Sequence, residues 1–464
     1  MFGSASAATV SSGGKEVVES GGIASSMGIT NGGMEIVSSG GTASGTTILA
    51  GGMETVSSGG TASATTVSSG GTLELLGGAT ASGTTISSGG ILEIVAGYKV
   101  SGFIVSSGVT LEFASGGTAS KTIVDGGGTL ELLGGAVASA PTISSGGLLE
   151  IGGGYVLTAF AVKNGATLDV LSGGTASHTT VSSGGTMELF GGATASSTTV
   201  NSGGVLELFG GATAKSTTVK SGGLLEVEAG FVLSGFSIAK GATVEVLSGG
   251  TVRKTTVTSG GVLELFGGAT ATSTTVKSGG TLDVESGYVL SGFAVAKGAT
   301  VDVLSGGIAS GTIVSSGGMV DIFAGGTASA AMIKSGGFAT ISGGTLELGS
   351  AATASGTIDF AGGGTLKLDG TGTYGFVVSG FAKPDVFDLS AVNFISGTTS
   401  ATYSGTTLSG TLTVTDGAHS VSIELLGNYM ATTFNVAPEG GGGTGTLVTD
   451  PPAMMAGLVG PHNT

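Results

Sequence analysis

The stretch Thr65-Thr66-Val67-Ser68-Ser69-Gly70-Gly71-Thr72-Leu73-Glu74-Leu75-Leu76-Gly77-Gly78-Ala79-Thr80-Ala81-Ser82 decides the fold. Two short period-two runs, Thr-Thr-Val and Leu-Glu-Leu, are punctuated by Gly pairs, the pattern of strand, turn and strand. β-Branched residues suit pleated strands, and Gly supplies the positive φ that tight corners need. No segment between glycines is long enough to nucleate a helix. Alternation puts Leu73 and Leu75 on one face and Glu74 on the other. Ala81 and its equivalents Ala62, Val100, Ala119, Leu157 and Leu233 are expected to point inward as well.

The stretch is one of many copies. From Gly13 to Gly336 every nineteenth residue is Gly, eighteen times without a gap, and a second column of eighteen runs from Gly21 to Gly344. A third column, Val10 to Ile333, is Val or Ile in all eighteen coils. A unit this short cannot bury its own apolar face, so it must stack on copies of itself, each residue over its equivalent. The prediction is all-β: a single-stranded parallel β-helix, or β-solenoid, of about 18 coils, right-handed by the crossover rule. The solenoid is expected over 1–344 and a C-terminal solenoid cap over 345–383, where Thr345-Leu346-Glu347-Leu348 keeps the chemistry at altered spacing. A small β-rich module is expected over 384–452, with a hairpin at Asp416-Gly417. A flexible tail is expected over 453–464.

Two irregularities stand out. Tyr98, Tyr155, Phe231 and Tyr288 open variant coils, each followed five residues later by Phe103, Phe160, Phe236 or Phe293. These Phe residues lie two positions before the Val/Ile column, hence on its inward face, and are expected to pack in the core. The first three coils place their acid one position early, as in Met34-Glu35-Ile36-Val37. Since a one-residue slip swaps faces, a local bulge is expected there to restore inward apolar residues.

Composition narrows the function classes. Of 464 residues only 9% are charged and 5% aromatic, while 96 are Gly and none is Cys or Trp. The net charge of −16, with no cluster of Lys and Arg, argues against a nucleic-acid partner. Absence of Cys removes disulfides and thiol metal sites. No run of eighteen apolar residues exists to cross a membrane as a helix. Met1-Phe2-Gly3-Ser4 has neither the basic start nor the apolar stretch of a cleavable signal.

Three outward columns could carry function. Fourteen successive coils hold an acid at one position: Glu74, Glu93, Glu112, Glu131, Glu150, Asp169, Glu188, Glu207, Glu226, Glu245, Glu264, Asp283, Asp302 and Asp321. Stacked carboxylates repel by about 1 kcal/mol each even in water, which points to solubility and protection from sheet-to-sheet pairing or, more sharply, to a cation stripe. A hydroxyl column from Ser6 to Ser329 includes Ser44, Ser63, Ser82, Ser120, Ser139, Ser177 and Ser196 and is interrupted by Lys215 and Arg253. It reads as a turn column or as an array of O-glycosylation acceptors. The Thr66 column is too often broken to make a flat ice-binding face.

Catalytic constellations are missing. His178, His419 and His462 are far apart, and Gly370-Thr371-Gly372-Thr373-Tyr374-Gly375 fits a nucleotide-loop pattern with no helix to follow. Sites live on loops, and eighteen coils run without one insertion. No cofactor and no enzyme activity are expected.

The run Thr-Ala-Ser-x-Thr-Thr-Val-x-Ser-Gly-Gly-x-Leu-Glu-Leu, as at 194–208, resembles the repeat of autotransporter passenger domains, and is similar to the AIDA-type adhesins of Gram-negative bacteria. The resemblance covers about residues 5–344. It implies a secreted or cell-surface protein acting in adhesion or self-association, sometimes after heptose attachment to repeat Ser residues. The implied partners are like molecules or host and abiotic surfaces, a glycosyltransferase and outer-membrane export machinery. The roughly 80 residues after Pro384 are too few for a typical autotransporter barrel, so export by a separate machine, or a gene fragment, is the expectation. The alternatives are a passive cell-envelope spacer and a carbohydrate-active β-helix enzyme such as a polysaccharide lyase.

Overall fold

The computed structural model describes residues 3–349 and 355–450; the tail expected over 453–464, and His462 with it, lies outside the described residues. The chain falls into two compact units, Met1–Phe231 and Val232–Thr464, and the same coil builds both. Among the described residues there is no helix.

A regular coil has three straight sides. In the coil quoted above they are a long side, Thr72–Leu76, a middle side, Thr80–Ser82, and a short side, Thr85–Ile86. Each side pairs in parallel with its equivalent nineteen residues away: Leu73 with Leu92, Ala62 with Ala81, Val67 with Ile86. Inward columns are apolar and sealed, with Leu73, Ala62 and Val67 showing no exposure. The parallel β-solenoid read from the repeat is therefore the observed fold.

Corners explain the Gly columns. Gly70 turns the chain at φ +74°, and a Cβ on its neighbour Gly71 would meet the carbonyl oxygen of Ile48 at 2.7 Å. A side chain does not fit at Gly71, whose corner lies that close to the last, whereas Val109, Ala166 and Ala299 hold the same position in variant coils. The third corner, between middle and short sides, also has positive φ in every coil, yet carries Ala64, Lys121, His178 or Ser216 as readily as Gly. At Gly83 in that column an added Cβ would have no neighbour nearer than 3.6 Å. Space is open there, so the chain bears only the modest cost of left-handed backbone.

The variant coils do something the sequence does not announce. Across the inward Thr65 and Ala81 columns they replace Thr by Phe103, Phe160 or Phe293 and Ala by Val100, Leu157 or Leu290. Both substitutions enlarge side chains in a close-packed interior. Middle and short sides lose their pairing there: no backbone hydrogen bond joins 80–86 to 99–105, 137–143 to 156–162, or 270–276 to 289–295. The long side continues past each gap, as Glu93 pairing with both Glu74 and Glu112 shows. The Phe residues are half-buried at these gaps instead of sealed in the core.

The first three coils overturn the expected bulge. Glu54 pairs with Leu73 and Thr55 with Glu74 in unbroken register. Glu35 and Glu54 consequently point inward and have no exposure at all.

At the other end the period lengthens. Thr345 pairs with Thr365 and Leu366 with Phe387. Antiparallel strands then replace parallel ones: Ser400–Gly405 with Ser409–Thr415, that strand with Ser420–Leu426, and Val386–Leu389 with Thr446–Thr449. Phe360, Phe381 and Phe387 cluster edge-on and stacked, and the Tyr429 hydroxyl donates to the Phe381 carbonyl at 2.8 Å. In the Asp416-Gly417 hairpin the Asp416 carboxylate accepts from the backbone amides of His419, Ala418 and Asn393. Those bonds, the His419 amide first, hold its pKa well below the usual carboxylate range.

Restoring small inward residues should close a gap. In V100A/F103T the amides of Ile104 and Ser106 should exchange with deuterium roughly tenfold or more slowly, because new ladder bonds protect them. Unchanged exchange would mean that side-chain size does not hold the gap open.

Candidate functional site

The long side carries the acids. Within the first unit Glu74, Glu93, Glu112, Glu131, Glu150, Asp169, Glu188, Glu207 and Glu226 pair successively in register. In the second, Glu245, Glu264, Asp283, Asp302 and Asp321 do the same. Neighbouring carboxyls therefore sit about one strand spacing, ~4.8 Å, apart at the backbone. Hydroxyls close both ends. Thr55 donates to Glu74 at 2.8 Å, and Thr340, the register partner of Asp321, hydrogen-bonds its carboxyl.

Repulsion alone would lift these pKa values, but burial is the larger cause. Packing among outward Thr and Leu neighbours removes solvent from the carboxyls, and adjacent charges add to the effect. Glu112, Asp169, Glu207 and Asp283 are pushed up to about 7 and Asp302 to about 6. Glu93, Glu131, Glu150, Glu188, Glu245, Glu264 and Asp321 rise for the same first reason. Chain length sets the depth. Asp169, Asp283, Asp302 and Asp321 each keep one buried oxygen with no hydrogen-bond partner, whereas the longer Glu side chains of the ladder keep none of that kind. Carboxylate oxygens of Glu207, Glu226 and Glu228 lie within 4.8 Å of one another, and all three residues are partly exposed. Glu228 lies in the column of Phe209, Leu247 and Glu285, where residue type varies from coil to coil, which is why periodicity passes over it.

The Ser column lies on the middle side, and the gaps cut it into tracts. Ser6, Ser25, Ser44, Ser63 and Ser82 form one, Ser101, Ser120 and Ser139 the next, then Thr158, Ser177, Ser196 and Lys215. Inside a tract hydroxyls touch: Ser63 donates to Ser44 at 3.2 Å and Ser196 to Ser177 at 3.3 Å. At the lips of a gap they are exposed, as at Ser82, Ser101 and Ser139.

The gaps are clefts. One, of about 360 Å³, is lined by Ala81, Ile86, Tyr98, Val100, Phe103 and Ile104. Its counterpart in the second unit, about 550 Å³, is lined by Ala271, Val276, Tyr288, Leu290, Phe293 and Ala294. The hydroxyls of Thr84 and Thr274, one beside each cleft, are buried without a partner. The sequence marks the aromatic pairs at these places but gives no sign that the coils part.

None of this geometry builds a catalytic centre. His178 sits at a third corner, 2.8 Å from Ser177 and with no carboxylate bonded to it among the described residues, and His419 serves the hairpin. The molecule is by its fold a repeat protein, a parallel β-solenoid whose outward positions align in columns from coil to coil.

Residues 20–71 and 150–204 match the family model of AIDA, the adhesin of the bacterial autotransporter system, described as its probable stalk. The repeat over those stretches is thus of the autotransporter-adhesin type, in agreement with the resemblance of 194–208. A crystal structure of a hyper-glycosylated TibA fragment, modified by TibC, is similar at 29% identity over 75% of this chain and 98% of that one, with a TM-score of 0.26. No curated protein matches the chain.

Raised carboxyl pKa values fix a sign. The folded ladder holds more protons than the unfolded chain between the ordinary carboxylate pKa and about 7, so its contribution to stability falls as pH rises through that window. Melting temperature at low salt should drop between about pH 5 and pH 8 and partly recover when salt screens the ladder. E112Q should raise stability at pH 8 by about 1 kcal/mol, a value discounted for partial exposure. A melting temperature indifferent to both pH and salt would show the ladder charges to be independent.

Proposed function

We propose that this protein is a non-enzymatic, cell-surface or secreted adhesive stalk that works by self-association or by binding surfaces. The observation that carries this reading is the register: outward columns of one predominant residue type, acidic or hydroxyl, recur along the solenoid, so any weak contact is offered many times. Linked weak contacts become strong binding through effective concentration, without a single strong site. The match to an adhesin stalk supports the same reading.

The sides differ in what they offer. The acidic long side opposes pairing with itself, because two such ladders brought together add charge to charge. Middle and short sides are uncharged over most of their length and rich in Ser and Thr, and contact falls to them. Phe190 and Phe209, stacked at 4.9 Å at the end of the long side, add an apolar edge.

The test is clumping. Cells or beads displaying the chain should aggregate, and forms shortened by two, four and six coils should aggregate progressively less, while a substitution in one coil changes little. A displayed chain that neither clumps nor binds glass, plastic or host cells at any salt concentration leaves only the spacer role.

The hydroxyl column supports a modification on the same sides. With a glycosyltransferase in the producing cell, sugars should be found at Ser44, Ser63, Ser82, Ser120, Ser139, Ser177 and Ser196, with the gap-lip residues Ser82 and Ser139 occupied first. Peptide mass spectrometry of natively produced protein reads this directly; unmodified Ser throughout would remove modification from the account.

A further inference from the structure

Glu35 and Glu54 stand in the wrong place for carboxylates. Their side chains enter the solenoid core at the position that Leu73 fills in the next coil. One oxygen of each accepts a hydrogen bond inside the core, from Thr46 at 3.0 Å and from Thr65 at 3.1 Å. The other oxygen of each is buried with no partner. Glu16, in register beneath Glu35, likewise keeps one buried oxygen unpartnered. The three carboxyls form an inward file, one per coil.

Nothing in that file supplies a counter-charge. The residues sharing the core of these coils are Ala43, Ala62, Ile29, Ile48, Val37 and Val56, all fully buried. The nearest cation in sequence, Lys15, lies on the outward, exposed face of its strand. Among the described residues the titratable groups that face Glu35 and Glu54 from the packed elements are each other and Glu16, beside the hydroxyls of Thr46 and Thr65. An ionised carboxylate so enclosed is costly, whereas a carboxylic acid can donate as well as accept and sits at much lower cost.

We propose that residues 15–67 form a proton-held segment of the solenoid, stacked while Glu35 and Glu54 are carboxylic acids and opened when they ionise. Burial agrees, pushing Glu35 up to about 7 and Glu54 to about 8. The native segment holds protons that the unfolded one has released, so its stability falls as pH rises from the ordinary carboxylate range to about 8. Each group that titrates increases the open population about tenfold per pH unit across its window. The outer ladder does not enter here, because its position in these coils is filled by Val17, Ile36 and Thr55. Opening at this end would bare the edge of the next coil, Thr72–Leu76, as a parallel strand seeking a partner.

Hydrogen exchange of the full-length chain tests this, with rates referred to the intrinsic rate at each pH. In the wild type the protection of 28–67 should fall at least tenfold between pH 5 and pH 9, beyond any change in 110–151. In E35L/E54L, which installs the residue type of Leu73, that excess fall should vanish while 110–151 behaves as before. E35Q/E54Q keeps a polar group that cannot ionise and should also lose it, which leaves a test standing if one variant folds poorly. Constant protection of 28–67 in the wild type, or an excess fall that persists in either variant, overturns the proposal.

Discussion

Within each unit the long sides of the regular coils lie in register at nineteen residues, and the other two sides do so between gaps, so a side chain's main neighbour is its own equivalent. Glu93 meets Glu74 and Glu112, Ala62 meets Ala43 and Ala81, and Ser63 meets Ser44 and Ser82. Like stacks on like, and the sign of that self-contact decides what a column can hold. Apolar columns gain from it, since each Leu or Val adds to a continuous dry stripe. Hydroxyl columns are close to neutral, because one Ser can donate to the next. Acidic columns lose, and as charged groups they tolerate it only on an outward face.

The same rule makes local change expensive in a particular way. A larger residue in one coil has no larger pocket waiting in the adjacent coils, which keep Ala and Thr. At Phe103 the stack answers by parting on two sides, while the long side, where Leu92 and Ile94 remain ordinary, keeps its ladder. An acid placed inward at Glu54 meets Leu73 above and Glu35 below, so it can be accommodated only by neutralising itself. Both departures follow from register being held while chemistry varies.

This is also why the sequence is legible in some columns and opaque in others. Gly13 to Gly336, the Val/Ile column and the Leu-Glu-Leu acids repeat in residue type, so period alone reveals fold, face and stacking. The third corner repeats in backbone conformation but not in residue type, and Ala64, Lys121 and His178 share nothing a reader could align on. Inward aromatics announce a crowded core without saying which contact yields. The shifted acids of the first coils are visible as a shift, but the bulge expected there assumed that a buried carboxyl must be avoided. Threonines at 46 and 65, two residues before the Val/Ile column, give each acid one partner, and protonation removes the rest of the objection. For the outward ladder the alignment was legible and the order of causes was not, because depth of burial depends on side-chain length: Asp169 keeps a buried oxygen where Glu150 does not.

Placing the acids on the long side has a consequence for how such a stalk can associate. That side is the one unbroken ladder within each unit, hence the longest flat surface and the greatest hazard for sheet-to-sheet stacking. Charging it removes the hazard at a cost that burial makes larger than exposure alone would. The middle and short sides have less need of such a guard, since the gaps divide them into sheets of three to five strands, apart from the last middle-side sheet, which runs on through eight. Short uncharged tracts, each ending at a cleft, can then engage a partner locally and release it locally. Under the adhesive reading proposed above, reversible contact by many small patches would fall to these two sides, because charge guards the long ladder and the gaps interrupt the others.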